Sequence, residues 1–125
     1  MSTTVFQEGF HRGEFLVSEA RGNRSRDVGT IAATSISYQS GTIVSFVVAT
    51  GKYTAYDETS QTANTAAAVL YDHADPRGGD VHATLITRDA EINAQQITGL
   101  PTITPQGLAT ALTQLATRGI IARGA

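Results

Sequence analysis

Residues 42–56 read Thr-Ile-Val-Ser-Phe-Val-Val-Ala-Thr-Gly-Lys-Tyr-Thr-Ala-Tyr. The first nine are dominated by β-branched and aromatic side chains, which suit a pleated strand. Gly51-Lys52 follows as a two-residue hairpin turn, because glycine can supply a positive φ at the first central position. Tyr53 to Tyr56 then returns beside the first strand. Tyr53 and Ala55 face one side of it, and Thr54 and Tyr56 the other. This pair sets the expectation of a mainly β chain.

The segments around it extend that expectation. Val28 to Ala32 reads as a short strand, and a further one is expected at Ile36-Ser37-Tyr38. Gln39-Ser40-Gly41 is turn chemistry. Asp57 to Asn64 is a polar loop, and Thr65 to Leu70 a compact, buried strand. Asp72 to Asp80 is a long turn with Pro76 and the Gly78-Gly79 pair. From Val81 to Thr87 the residues alternate. Both faces carry apolar side chains, Leu85 on one and Ile86 on the other, so this strand is expected to be covered on both sides.

One helix stands out. Thr104 is a suitable N-cap, and Pro105 occupies the first helical position, where its missing N–H costs nothing. Leu108, Leu112 and Leu115 follow at spacings of four and three, forming one apolar stripe. The stripe is read as core, with a subunit contact as the alternative. Gly119 after Arg118 fits a glycine just past the helix end, and Ile120 and Ile121 are expected to pack as the chain leaves it.

The start of the chain differs. Residues 1–27 hold Phe6, Phe10 and Phe15, and Arg12, Arg21, Arg24 and Arg26, broken by Gly9, Gly13 and Gly22. No single period fits the stretch. It reads as an extended N-terminal arm with a short strand at Phe15-Leu16-Val17, followed by one β-rich domain over residues 28–125. Burying a phenylalanine is worth ~1.5–3 kcal/mol, so these rings want a surface. It is either a partner or, alternatively, their own core.

Composition limits the function classes. The 125 residues amount to one domain. Only 16% are charged, against roughly a quarter in ordinary domains. A surface rich in Thr, Ala and Gly suits packing against copies of itself. The net charge of −2 makes no electrostatic case for nucleic acid. Without cysteine there is no thiol chemistry and no cysteine-based zinc site. No signal peptide is expected. The longest mostly apolar run, residues 42–50, is far short of the ~20 residues that span a bilayer.

Candidate chemistry is weak throughout. Asp72, Asp75 and Asp80 share a loop with His73, but not at the spacing of a calcium loop, and Asp and Gly are what a turn requires. His11, His73 and His82 are scattered, and no nucleophile elbow accompanies them. Arg21, Arg24 and Arg26 could touch phosphates, but the run is short, and a solvated linker or pairing with acidic groups is the better reading. No catalytic, cofactor or metal site is therefore expected.

Order and spacing of motifs carry more information. Gly13-Glu14-Phe15-Leu16-Val17-Ser18 is followed by Gly51-Lys52-Tyr53-Thr54-Ala55-Tyr56-Asp57, then by Ala66-Ala67-Ala68-Val69-Leu70-Tyr71-Asp72. Gly78-Gly79-Asp80-Val81, Thr87-Arg88-Asp89-Ala90-Glu91-Ile92-Asn93 and Leu115-Ala116-Thr117-Arg118-Gly119-Ile120-Ile121 complete the series. From about Gly13 to Arg123 this order resembles the head decoration proteins of tailed bacteriophages, the lambda-type protein D family. The resemblance implies a small β-clip-like barrel with a short C-terminal helix and no enzymatic activity. It implies a virion protein, made in the host cytoplasm, on the outer surface of an expanded head. There it would form homotrimers at three-fold and quasi-three-fold positions, bind the major capsid protein and hold the shell against internal DNA pressure. No nucleic acid, membrane or cofactor is implied as a partner.

Residues before Gly13 match no family motif, so the capsid-binding set rests on the apolar side chains of the arm: Val5, Phe6, Phe10, Phe15, Leu16 and Val17. Two other readings are a subunit of a tail or adaptor ring, and a small β-rich ligand-binding module. Ring symmetry would favour the first, and a concave apolar pocket with converging polar groups the second.

Overall fold

Neighbouring residues in the central strands belong to different cores. In the structure, a computed structural model describing residues 12–22 and 24–124, Ile43 and Val44 are both fully buried but in separate clusters. The same holds for Val69 beside Leu70 and for Leu85 beside Ile86. Successive strand residues point to opposite faces, so a wall with apolar residues on both faces must be covered on both.

Five strands make that wall. In chain order they are β2 (Arg26–Ile31), β3 (Ile43–Val47), β4 (Lys52–Ala55), β5 (Ala68–Leu70) and β6 (Val81–Ile86), closed as a barrel in the order β2-β4-β3-β5-β6. Most pairings are antiparallel; β2 meets β4 in parallel through Ile31 and Tyr53. Ile31, Tyr38, Val44, Ala55, Ala68, Leu70, Ala83 and Leu85 fill the barrel. Closure pairs every wall strand on both sides and leaves no free edge.

A second sheet, ordered β1-β7-β8, lies against the barrel: β1 (Leu16–Glu19), β7 (Ala90–Asn93) and β8 (Ile120–Arg123). β7 and β8 run parallel, so the chain must cross over between them. Helix α1 (Pro105–Ala116) lies on that crossover. Phe15, Ile43, Tyr56, Val69, Ile86, Ile92, Ala111, Leu115 and Ile120 form the second core, which joins barrel wall, sheet and helix. The mainly β expectation, the small barrel and the single C-terminal helix all hold.

Details differ. The β3–β4 turn spans four residues, Val48–Gly51, because Lys52 pairs with Val47 inside the ladder. Thr50 and Gly51 both donate their N–H to Val47 O, at 3.2 and 2.8 Å, and Gly51 takes φ +68 to close the turn. No strand forms at Ile36–Tyr38. Tyr38 makes one bridge to Ala74, while Ile36 and Ser37 are exposed. The strand expected over residues 65–70 narrows to Ala68–Leu70, and β2 begins two residues before Val28.

Thr104 caps α1 as expected, its side chain accepting from Gly107 N–H, with Pro105 following. The leucine stripe is shifted, however. Gly107, Ala111 and Leu115 make the buried line, and Leu108 and Leu112 flank it half-buried. Ile120 is buried, whereas Ile121 is exposed. One face of β6 is covered at Ala83 and Leu85; on the other, Ile86 is buried but His82 is exposed.

Candidate functional site

The acidic loop has structural work to do. Asp72 Oδ2 accepts from Thr84 N–H at 2.9 Å. Asp75 caps the short 3-10 turn Pro76–Gly78 and grips Arg77 through both carboxylate oxygens, at 2.7 and 2.8 Å, so its pKa falls to about 2. Asp80 accepts from Ala33 N–H and pairs with Lys52 at 2.6 Å. His73 Nδ1 accepts from Ser40 N–H. Among the described residues no group of three or more His, Asp or Glu side chains converges as a metal site.

Of the basic run, Arg21 and Arg24 are exposed and Arg26 is half-buried. Arg26 makes a two-pronged contact with Glu19, at 2.9 and 2.6 Å. That contact holds the Glu19 carboxyl below its ordinary pKa, with Arg26 hydrogen bonding as the main cause. Arg24 offers its backbone carbonyl to Arg88. A cavity of about 490 Å³ on the barrel flank is lined by Ile36, Tyr38, Gln39, Thr42, Leu100 and Ile103, among others. Ser37, Tyr38, Gln39, Thr42 and Thr98 supply hydroxyl and amide groups to its lining, which holds no Asp, Glu, Lys, Arg or His.

A dense set of contacts surrounds Gly13. Gly13 N–H donates to Ser40 Oγ at 2.8 Å and to Tyr71 O at 3.2 Å. Ser40, 1% exposed, donates its hydroxyl to the same Tyr71 carbonyl at 2.7 Å. Arg12 and Arg26 both lie over the Tyr71 ring, 5.2 and 4.2 Å from its centroid. Arg12 Nε also meets Asp72 Oδ1 at 2.5 Å. Two residues on, Phe15 is 1% exposed within the second core. Leu16 then opens β1, an edge strand paired on one side with β7.

A model of the family described as bacteriophage lambda head decoration protein D matches residues 5–120 of the 125. The chain belongs to that family. It is a structural protein of a phage head, and its work lies on the capsid of a virion. No curated protein sequence matches the chain. Among the described residues no helix is long and apolar enough to cross a membrane.

Val5, Phe6 and Phe10 fall within the family match but outside the described residues. Phe15 points into the core, Leu16 is half-buried against it, and Val17 is 55% exposed on β1. Sequence reasoning missed Ser40 and Tyr71. Their contacts with Gly13 join positions 27 and more residues apart, and no local pattern announces such a meeting. The sequence signal was Gly13 itself, shortly before the first strand.

Proposed function

We propose that this protein decorates the outside of an expanded phage head as homotrimers at three-fold and quasi-three-fold positions. It binds the major capsid protein there and stabilises the shell against internal DNA pressure. The family match, which reaches from residue 5 through the arm and nearly the whole domain, is the observation that carries this reading. The thermodynamics need no active site. A protein that binds only the assembled state favours that state by mass action, and symmetric copies multiply weak contacts through avidity.

In this reading residues 1–27 serve as the arm, of which Leu16–Glu19 (β1) and Arg26 and Asp27 (the start of β2) are built into the fold, and residues 28–125 as the decoration domain. The stretch from Val5 to Val17 makes much of the capsid contact. Val5, Phe6 and Phe10 supply apolar anchors, Leu16 and Val17 continue the contact along β1, and Phe15 ties the arm to the domain. An extended peptide binds well by adding a strand to a sheet edge, where backbone hydrogen bonds supply affinity and alternate side chains fill pockets. Deleting residues 2–12 should leave a folded protein that no longer binds expanded heads. If the truncated chain decorates heads as tightly as the full one, the domain makes the contact instead. Electron microscopy of decorated particles tests the trimer: single copies away from three-fold positions would exclude it.

A further inference from the structure

The contacts around residues 12 and 13 are denser than chain entry requires. Gly13 has φ +71, and its Cα lies against the Tyr71 ring: a Cβ there would sit 2.5 Å from Tyr71 Cε2. The backbone of Gly13 is tied at the same point to Ser40 and to Tyr71 O. The ring's Arg26 neighbour is itself held by both oxygens of Glu19. Arg12, which makes the other ring contact and the Asp72 ion pair, is the first described residue and is largely exposed. Position and direction of the chain are thus set by four separate parts of the fold: β1, β2, the Ser40 turn and the Tyr71–Asp72 corner.

We propose that this clamp aims the arm, so that Gly13, Ser40, Tyr71 and Arg26 act as positioning residues for head binding without touching the head. The proposal rests on the reading that the arm makes the capsid contact. Its physical basis is effective concentration. Once one copy of a trimer is attached, an arm whose base is fixed searches a smaller volume than one on a loose base, and its binding is stronger without any added contact. Preorganisation acts in the same direction, because the ordering cost is met before association. The ring does this work through its face, which both guanidinium groups approach. The hydroxyl adds a weaker interaction with Arg26, so its loss should cost far less than loss of the ring.

The test compares binding to expanded, undecorated heads across full-length variants, with thermal unfolding of each free protein as a control. Tyr71→Leu should weaken binding at least fivefold, and Tyr71→Phe, which keeps the ring, should bind like the parent. Inserting Gly-Ser-Gly between His11 and Arg12 keeps the clamp but adds slack, and it too should weaken binding severalfold. If Tyr71→Leu does not fold, the insertion alone decides. Parent-like binding by the insertion variant overturns the proposal, even if Tyr71→Leu binds poorly, because the ring would then be a contact and not a guide. Failure of the arm reading is distinguishable: it appears as undiminished binding by the protein lacking residues 2–12.

Discussion

The Glu58 carboxylate fills the space that a side chain on Gly107 would need, and a Cβ at Gly107 would collide with it. Glu58 accepts from Thr104 N–H at 2.8 Å and from Thr104 Oγ1–H at 2.9 Å, and Thr104 Oγ1 in turn accepts from Gly107 N–H at 3.0 Å. A negative group at a helix N-terminus meets unpaired N–H groups and the positive end of the helix dipole. The polar loop after β4 is thereby fastened to α1.

Gly107→Ala should therefore destabilise the protein by ~1 kcal/mol, although alanine is the better helix former. Made in a Glu58→Ala background, the same change should stabilise by ~0.5–1 kcal/mol, the ordinary propensity difference. Urea unfolding of the four proteins in this cycle measures the reversal of sign. If Gly107→Ala stabilises in both backgrounds, the carboxylate contributes nothing at that position.

Leu115 and Leu112 should separate in cost. Leu115 is fully buried in the second core and Leu112 half-buried beside it. Leu115→Ala should cost ~2–5 kcal/mol, the range for removing a buried leucine side chain, and Leu112→Ala clearly less. Equal losses of melting temperature would mean that Leu112 is covered more fully than the single chain shows. Trimer dissociation without loss of stability in Leu112→Ala would assign it to a subunit contact.

Gly29→Ala should destabilise the barrel by ~1–3 kcal/mol, the usual cost of overfilling a packed site. An added Cβ would lie 2.7 Å from Tyr53 Cε2 and 2.8 Å from Leu85 Cδ1. Tyr53 also packs against Phe46, with ring centroids 5.0 Å apart. Thermal unfolding checks the cost. A neutral result would mean that the Tyr53 ring moves aside freely.

Acid should unfold the protein from the carboxylate side. Glu19 is lowered from its ordinary 4.5, chiefly by hydrogen bonding to Arg26. Asp27, Asp57 and Asp80 are lowered from 3.8 by hydrogen bonds from Thr87, Thr59 and Lys52 respectively. Asp75 falls to about 2. A folded-state pKa below the unfolded one means that the unfolded chain takes up protons first as pH falls. Stability is therefore full above about pH 5 and declines through the ordinary carboxylate range toward pH 2. Melting temperature measured against pH should be flat from about 7 to 5 and then drop, with a smaller drop in Glu19→Gln. A flat profile down to pH 3 would exclude these pairs as contributors.

Much of the barrel was legible because its causes are local. The β-branched run of Ile43–Val47, the return at Tyr53 and the alternation from Val81 to Ile86 each carry their own period. Thr104-Pro105 marks the helix start by capping chemistry alone. Two strands escaped for the opposite reason. Ala90–Asn93 and Ile120–Arg123 are four residues each, and Ala-Glu-Ile-Asn has little strand preference of its own. They are strands because each lies beside the other in the second sheet. The turn after β3 was read two residues short because its length depends on where Val47 and Lys52 pair across the ladder.

By itself the sequence determined the class of protein: a charge-poor, cysteine-free, mainly β chain with one capped helix and an order of motifs shared with a family of phage head proteins. Those are properties of residue type and spacing along the chain. Only the tertiary structure decided which faces are buried. It placed Ala111 and Leu115 inward and left Leu112 at the rim, and it spent the loop aspartates on Thr84, Arg77 and Lys52. It also brought Ser40 and Tyr71 to Gly13 across 27 and more residues of chain. Such contacts arise when barrel closure and the packing of a second sheet bring distant segments together, and no window of neighbouring residues contains that information.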